Sequence, residues 1–233
     1  MKDLFGNALL DYQNGKYTED IITSTNISDE DDLPLPYLFR GFKDMPKLEQ
    51  KALKLAKGTV LDVGCGAGSH SLYLQKKGFH VDAIDISKGA IEVAKQRGVL
   101  NAEVKNILEE TNSFDTILLL MNGTGIFQEL AQVSKYLTHL KSLLKPNGQI
   151  LIDSSDIQYM YEDEDGGVWM DMNASYYGEL DYFLSYKGEK EDPMKWLYLD
   201  FNTLQTACET VGLKCELVLE GDHFDYLARL IAV

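Results

Sequence analysis

The stretch Val60-Leu61-Asp62-Val63-Gly64-Cys65-Gly66-Ala67-Gly68-Ser69-His70 decides how this chain folds. Its β-branched and aliphatic beginning predicts a strand, and the three alternating glycines predict a tight turn that opens a helix. Glycines let the backbone turn sharply and let a ligand approach it closely, while the first N–H groups of a helix are free to bind that ligand. The stretch therefore predicts a loop for a nucleotide-like ligand at the end of a strand.

The glycine spacing bears on which ligand this loop holds. Dinucleotide-binding folds use G-x-G-x-x-G to hold a pyrophosphate. Here the glycines stand at positions 64, 66 and 68, and Ser69 occupies the position of the third dinucleotide glycine. The spacing disfavours a pyrophosphate. A nicotinamide-dependent oxidoreductase stays open as an alternative, because a glycine loop followed by an acid about 20 residues later also suits that class.

Short aliphatic runs alternate with helical patterns on both sides of the loop. Strands are predicted at residues 59–63, 81–85, 103–107, 116–121 and 149–153, and helices at 69–77, 88–97 and 127–144. This alternation is typical of βαβ units and a parallel sheet. A helix at 200–211 then precedes two strands, 214–219 and 226–233, that can pair antiparallel. The prediction is an α/β fold with a Rossmann-like, doubly wound, mostly parallel seven-stranded sheet whose last strand pair is antiparallel.

The remaining segments divide the chain into four parts. Residues 1–45 are predicted to be an N-terminal helical cap, in which one helix leads into a polar, acidic loop. Residues 46–154 form the core, with a helix at 47–57 before the first strand, and residues 199–233 complete it. Residues 155–198 are an acidic, aromatic insertion over one edge of the sheet, with a β-hairpin formed by 179–186 and 195–199.

Composition excludes several classes of partner. Lys plus Arg number 22 against 37 for Asp plus Glu, and the resulting formal charge of −15 would repel a phosphate backbone. No nucleic acid is therefore expected. Cys65, Cys208 and Cys215 lack paired spacing, which predicts reduced thiols and neither a disulfide framework nor a zinc site. No apolar run suits a signal peptide or a membrane span, so we expect a cytoplasmic protein with no membrane partner. The oligomeric state stays open.

Several ordered motifs resemble the class I S-adenosylmethionine (SAM)-dependent methyltransferases. Residues 62–68 match the first motif of that family, an acidic residue, any residue, and then G-x-G-x-G. Val81-Asp82-Ala83-Ile84-Asp85 is similar to the family's second strand, which ends in an acidic residue. Residues 112–118, Asn-Ser-Phe-Asp-Thr-Ile-Leu, resemble the start of its fourth strand, and residues 143–151 resemble its "LLKPGG-x-L" turn. The resemblance implies a methyltransferase with SAM as its cofactor.

The resemblance also implies which residues contact SAM. They are Arg40, Asp62, Gly64, Cys65, Gly66, Gly68, Asp85, Ile86, Asn106, Ile107, Leu120 and Met121. The glycine loop would border the methionine part, with Asp62 near its ammonium group and the backbones of Leu120 and Met121 beside it.

Asp85 would accept hydrogen bonds from both ribose hydroxyls, because a carboxylate offers two acceptor oxygens. Ile86 would cover one adenine face, Asn106 would bind the adenine amino group through its carbonyl oxygen, and Ile107 would add apolar contact. Arg40 would pair with the cofactor's carboxylate, or else be solvated. The alternatives are glycines that serve only packing and an Asp85 that caps a helix.

Methyl transfer is an in-line displacement, so the enzyme mainly holds a nucleophile near the methyl group. Neither H-E-x-x-H nor G-x-S-x-G occurs, so no metal and no covalent intermediate are expected. No catalytic base can be assigned, and His70 is predicted to lie on a helix surface.

The acceptor is expected to be a small molecule, and the resemblance implies that the N-terminal cap and the insertion beyond the fifth strand select it. Its aromatic residues are Tyr159, Tyr161, Trp169, Tyr176, Tyr177, Tyr182, Phe183, Tyr186, Trp196 and Tyr198. Together with the acids they suit an amine acceptor through cation–π and Coulomb attraction, or they belong to an amphipathic hairpin that packs on the core. A non-catalytic, methyltransferase-like SAM-binding module is the remaining alternative.

Overall fold

The computed structural model describes residues 2–161 and 176–233. Trp169 of the predicted aromatic insertion lies outside these residues. The α-helices are α1 (Leu4–Gln13), α2 (Leu35–Leu38), α3 (Lys47–Leu55), α4 (Ser69–Lys76), α5 (Lys88–Arg97), α6 (Val133–Ser142) and α7 (Phe201–Thr210). The strands are β1 (Ile21–Thr25), β2 (Ser28–Leu33), β3 (Thr59–Val63), β4 (His80–Asp85), β5 (Asn101–Val104), β6 (Phe114–Leu119), β7 (Leu144–Ser155), β8 (Glu179–Tyr186), β9 (Glu189–Lys190), β10 (Met194–Leu197), β11 (Leu213–Glu220) and β12 (Asp225–Ala232). Within the described ranges, no helix is long and apolar enough to cross a membrane.

The main sheet has seven strands in the order β11-β12-β7-β6-β3-β4-β5. Strands β7, β6, β3, β4 and β5 are parallel, and β12 runs antiparallel to both β7 and β11. Leu61, Ile117 and Leu118 in its central strands are completely buried. Central strands of this kind are continuous apolar runs because helices cover both faces of the sheet. The predicted doubly wound α/β sheet with an antiparallel last pair is confirmed.

The strand order places a crevice beside the glycine loop. From β3 the chain adds β4 and β5 on one side, and then β6 and β7 on the other side. Loops that leave neighbouring strands in opposite directions open a crevice at the carboxyl ends of those strands. The loop that follows Val63 lies at that reversal.

A second, antiparallel sheet joins the N-terminal segment to the insertion. Its order is β10-β8-β1-β2, and β9 pairs with β8. The predicted hairpin is confirmed as β8 and β10, but β8 also pairs with β1, with Ile22 opposite Ser185. The insertion thus shares a sheet with the N-terminal segment instead of lying alone over an edge.

The prediction of an acidic loop after α1 is wrong, because that stretch contains β1 and β2. Four consecutive acids, residues 29–32, lie in β2 with exposed side chains. Acidic residues are depleted in strands, so the composition indicated a loop. At the edge of a sheet their carboxylates stay in water while the backbone pairs with β1, which makes the strand tolerable.

The predicted helix at 127–144 is shorter in the structure. Gln128 has a positive φ of 70°, which interrupts the helical path, and α6 runs only from Val133 to Ser142. The Lys145–Gly148 turn is accommodated as an irregularity within β7, since Leu144 pairs with Phe114 and the next pair is Gln149 with Thr116.

Candidate active site

Gly66 and Gly68 of the glycine loop are required for different reasons. Gly64, Gly66 and Gly68 all have positive φ, at 70°, 51° and 80°. A Cβ on Gly68 would lie 2.6 Å from Val99 Cγ2, so close packing requires this glycine. A Cβ on Gly66 would meet only Phe5 Cζ, at 3.9 Å. Packing therefore explains Gly68, whereas the backbone at Gly66 is left accessible to a ligand.

Asp85, at the end of β4, faces this loop. Its Oδ2 accepts the N–H of Gly66 at 2.9 Å, and its Oδ1 accepts the N–H of Ser87 at 2.9 Å. Burial raises the pKa of Asp85, outweighing the lowering effect of the two N–H groups. Each oxygen keeps a further lone pair for a ligand hydroxyl. The helix-cap alternative is excluded, because Ser87 caps α5 through Ala90 N–H.

Two exposed apolar side chains flank the loop. Ile86 follows β4 and is 59% exposed, and Met121 lies just beyond β6 and is 38% exposed. These two strands are the neighbours of β3 in the sheet. Large apolar side chains left exposed at a crevice suit contact with a ligand. Leu120, by contrast, is buried.

Asn106 and Ile107 are turned toward the protein itself. Asn106 Oδ1 accepts the N–H of Leu108 at 2.9 Å and caps the short 3-10 turn Ile107–Glu109. Ile107 is buried in the main core. The structure therefore leaves Asn106 one free lone pair for adenine, and Ile107 little surface.

Asp62 and Cys65 are enclosed near the start of α4. Asp62 is buried, and its Oδ2 accepts the Ser71 hydroxyl at 2.6 Å, which ties α4 to β3. Burial raises the pKa of the Cys65 thiol, and the charges of Asp62 and Asp85 raise it further. A thiol with a raised pKa is a poor nucleophile, in agreement with its interpretation as a small filler.

Arg40 and His70 are both buried, contrary to the expectations of a solvated arginine and a surface histidine. Both pair with Glu49 on α3, a residue that the sequence analysis missed. Arg40 Nη2 lies 2.5 Å from Glu49 Oε1, and His70 Nε2 lies 2.7 Å from Glu49 Oε2. A buried charge requires a partner, and Glu49 is the partner of both the Arg40 guanidinium and the His70 imidazole. The structure shows Arg40 paired within the protein, and its pairing with a cofactor stays a prediction.

A family model described as a methyltransferase domain matches residues 54–198. The chain belongs to the class I SAM-dependent methyltransferase family. A SAM-dependent methyltransferase from Bacteroides fragilis, solved with S-adenosyl-L-homocysteine (SAH), is 45% identical with a TM-score of 0.93, and the match covers 100% of this chain and 95% of that one. The predictions of the family and of the enzyme class are confirmed, and SAM as the cofactor follows from them.

More distant relatives match part of the methyltransferase. The ubiquinone biosynthesis O-methyltransferase of Rickettsia conorii is 30% identical over 46% of this chain and 38% of its own length. The chain thus spans well under half of that curated relative. The CcbJ methyltransferase of Streptomyces caelestis shares the fold, with a TM-score of 0.63 at 15% identity over 83% of this chain and 93% of that one.

The carboxyl end of the fifth parallel strand places Asp153 against the turn that follows β6. Its Oδ2 accepts the N–H of Met121 at 3.0 Å, and its Oδ1 accepts that of Gly123 at 2.8 Å. Met121 and Asn122 have positive φ, 67° and 59°, so Asp153 holds a strained turn in place. Burial raises the pKa of Asp153 to about 6 despite these hydrogen bonds. The sequence analysis missed this residue, although it ends the predicted strand 149–153 at the edge where ligands bind.

Proposed function

We propose that this methyltransferase transfers the methyl group of SAM to a small-molecule acceptor by in-line displacement. One observation carries the proposal. The backbone at Gly66 is accessible and is held against the fixed carboxylate of Asp85, at the reversal point of a sheet shared with an SAH-bound protein 45% identical along the whole chain. An open main chain beside a carboxylate suits an adenosine with two ribose hydroxyls better than a diphosphate.

The residues around the loop have separable tasks in this proposal. SAM supplies a methyl group on a positively charged sulfur. Asp85 binds the ribose. The exposed side chain of Ile86 covers one face of the adenine. Asp153 fixes the backbone at Met121, on the opposite side of β3, beside the methionine part. Holding both reactants in one geometry supplies most of the catalysis in a displacement of this kind.

The contact between the second sheet and the turn after β6 limits the room beside the glycine loop, which suits a small acceptor. Trp196 of β10 packs directly on Gly125, where a Cβ would lie 2.3 Å from the ring atom Cε2. On the other side of this turn, Ile126 Cδ1 lies 3.4 Å from the position of a Cβ on Gly64. Trp196 of the second sheet therefore covers the turn that follows β6, next to the glycine loop. The net charge of −15 also disfavours a nucleic-acid acceptor.

Calorimetry with SAH tests the proposal. We expect SAH and SAM to bind, and Asp85→Ala to weaken SAH binding about 100-fold, because it removes charge-assisted hydrogen bonds worth about 1.5–3 kcal/mol each. Asp82→Ala is the matched control, since Asp82 lies on the same strand and contacts Asn101 instead. Binding of NADH without SAM or SAH would favour the oxidoreductase alternative. Binding of SAH with no SAH production from any acceptor mixture would favour a binding module.

A further inference from the structure

A cavity of about 330 Å³ lies between the second sheet and the carboxyl end of β7. Thr25 and Leu180 line it from the second sheet, and Ser155 lines it from β7. Tyr159, Tyr198 and Asp225 also line the cavity. This volume is at the lower end of the range for small-molecule sites, so it suits a compact ligand.

The cavity adjoins the turn that faces the glycine loop. Ser155 lines the cavity, and Asp153, two residues earlier, projects from the same face of the strand. Asp153 in turn holds Met121 and Gly123. On the opposite wall, Trp196 and Tyr198 lie two residues apart, and Trp196 packs on the same turn at Gly125. Both walls therefore lead from the cavity to the turn beside the donor site.

One wall of the cavity carries the carboxylate of Asp225. Asp225 is held in place because its Oδ1 accepts the N–H of His223 at 3.1 Å, and it pairs across the sheet with Ser155. The described residues that line the cavity include no lysine and no arginine, and His223 is the basic side chain among them. Burial raises the pKa of Tyr198 to about 12, so its phenol stays protonated. Tyr159, which stacks on Phe224 at 5.0 Å, adds a second aromatic ring.

We propose that this cavity is the methyl-acceptor site and that it selects a small amine. The inference rests on the proposed function and specifies its substrate class. The aromatic rings and the Asp225 carboxylate attract a cationic or N–H-rich group, and an anionic acceptor would find no lysine or arginine among the described lining residues. The amine reacts in its neutral form, so an amine that binds as the ammonium first releases one proton to water. The lone pair of the neutral nitrogen then forms the N–C bond. The C–S bond breaks, its electrons go to sulfur, and the nitrogen takes over the positive charge. No base is needed in the methyl-transfer step itself, and the carboxylate of Asp225 stabilises the ammonium that forms.

Two probes of matched shape test this selectivity. Tyramine and 4-hydroxyphenylacetate share a phenol but differ in an ammonium against a carboxylate. With the protein saturated with SAH, we expect tyramine to bind at least tenfold more tightly by calorimetry. With SAM, we expect the methyl group on the amine nitrogen, identified by mass spectrometry. Equal binding of the probes, no binding of tyramine, or transfer to the phenol oxygen would overturn the inference.

Asp225→Asn and Asp222→Asn form the matched pair of variants. Asn keeps an acceptor for the His223 N–H but removes the charge at the cavity, whereas Asp222 is an exposed neighbour in the same turn. We expect tyramine affinity to fall three- to tenfold in the first variant only, with SAH affinity unchanged in both. An unchanged tyramine affinity in Asp225→Asn would contradict the inference. Failure of the wild-type protein to bind SAH would instead refute the proposed function, and this inference with it.

Discussion

Glu49 joins two basic side chains, Arg40 and His70, from different parts of the chain. Arg40 follows α2 and also donates through Nη1 to the carbonyl of Tyr37 at 2.6 Å, while His70 lies in α4. Burial alone would lower the pKa of His70, but the hydrogen bond that its ring donates to Glu49 and the charges of Asp62 and Glu49 raise it. Burial likewise works against the Glu49 carboxylate, and its cationic partners hold its pKa below the ordinary value. The cluster thus connects the N-terminal segment to the helix that follows the glycine loop.

Glu49→Gln should lower the free energy of unfolding by about 3–5 kcal/mol, because it leaves Arg40 buried without a counter-charge. The pH dependence should change as well. In the wild type, the pairing of His70 stabilises the fold fully below the ordinary pKa of 6.5 and is lost as pH rises through the higher folded-state pKa. The variant should lack this decline. Urea denaturation at several pH values between 6 and 9 measures both effects.

Glu92→Gln is the control for this substitution, since Glu92 is exposed on α5 and its carboxylate accepts a hydrogen bond from the neutral Gln96. It should change stability by less than about 0.5 kcal/mol. Equal losses in the two variants would show that the buried cluster has no special role.

The unit β3–loop–α4 is held by both side-chain and backbone contacts. Asp62 on β3 binds Ser71 on α4, and Gly64 and Cys65 donate their N–H groups to the carbonyl of Ile84 at 2.9 and 3.1 Å. Gly68 is the residue immediately before α4, and it packs against α5 and Val99. The loop is thereby fixed against both β4 and α5 before any ligand binds.

Gly68→Ala should destabilise the protein by about 2–4 kcal/mol, because it adds a steric clash with Val99 to the cost of a positive φ. Gly78→Ala separates the two causes, since Gly78 has a φ of 88° and no atom within 4 Å of its added Cβ. That control should lose only about 1 kcal/mol. Urea unfolding of both variants gives the comparison, and a loss at Gly68 no larger than at Gly78 would refute the packing argument.

The whole molecule carries an excess of negative charge, and part of it is concentrated at the edge of the second sheet. The chain has a formal charge of −15 and an isoelectric point of about 4.6. The exposed acids of β2 lie at the edge of the second sheet, which includes β8 from the insertion. Like charges that the fold brings together repel each other in the compact state.

Added NaCl should therefore stabilise the protein at pH 7.5, because at 0.1 M salt the screening length falls to about 10 Å. We expect the melting temperature to rise by roughly 2–4 °C between 20 and 300 mM NaCl, which corresponds to about 1 kcal/mol. Near pH 4.6 the same addition should have little effect, since the net charge is then close to zero. Scanning calorimetry measures both cases, and a fall in melting temperature at pH 7.5 would show that attractive pairs dominate.

The sequence by itself determined the main sheet and the position of the glycine loop. Strand and helix periodicity, the spacing of the three glycines and the acid at the end of β4 are local signals, because each depends on residues close together in the chain. The motifs they form carry the resemblance to the family, and they predict Asp85 beside the loop. Asp153 could have been found in the same way, since it ends a predicted strand at the ligand-binding edge.

Only the tertiary structure decided how the site is enclosed. The pairing of β1 with β8, the burial of Arg40 and His70 around Glu49, and the cavity between β7 and the second sheet all join segments that are far apart in sequence. Four acids in a row predict a loop, and only the partner strand makes them a strand. The physical reason is that local propensities act within a few residues, whereas burial and ion pairing depend on neighbours that folding brings into contact.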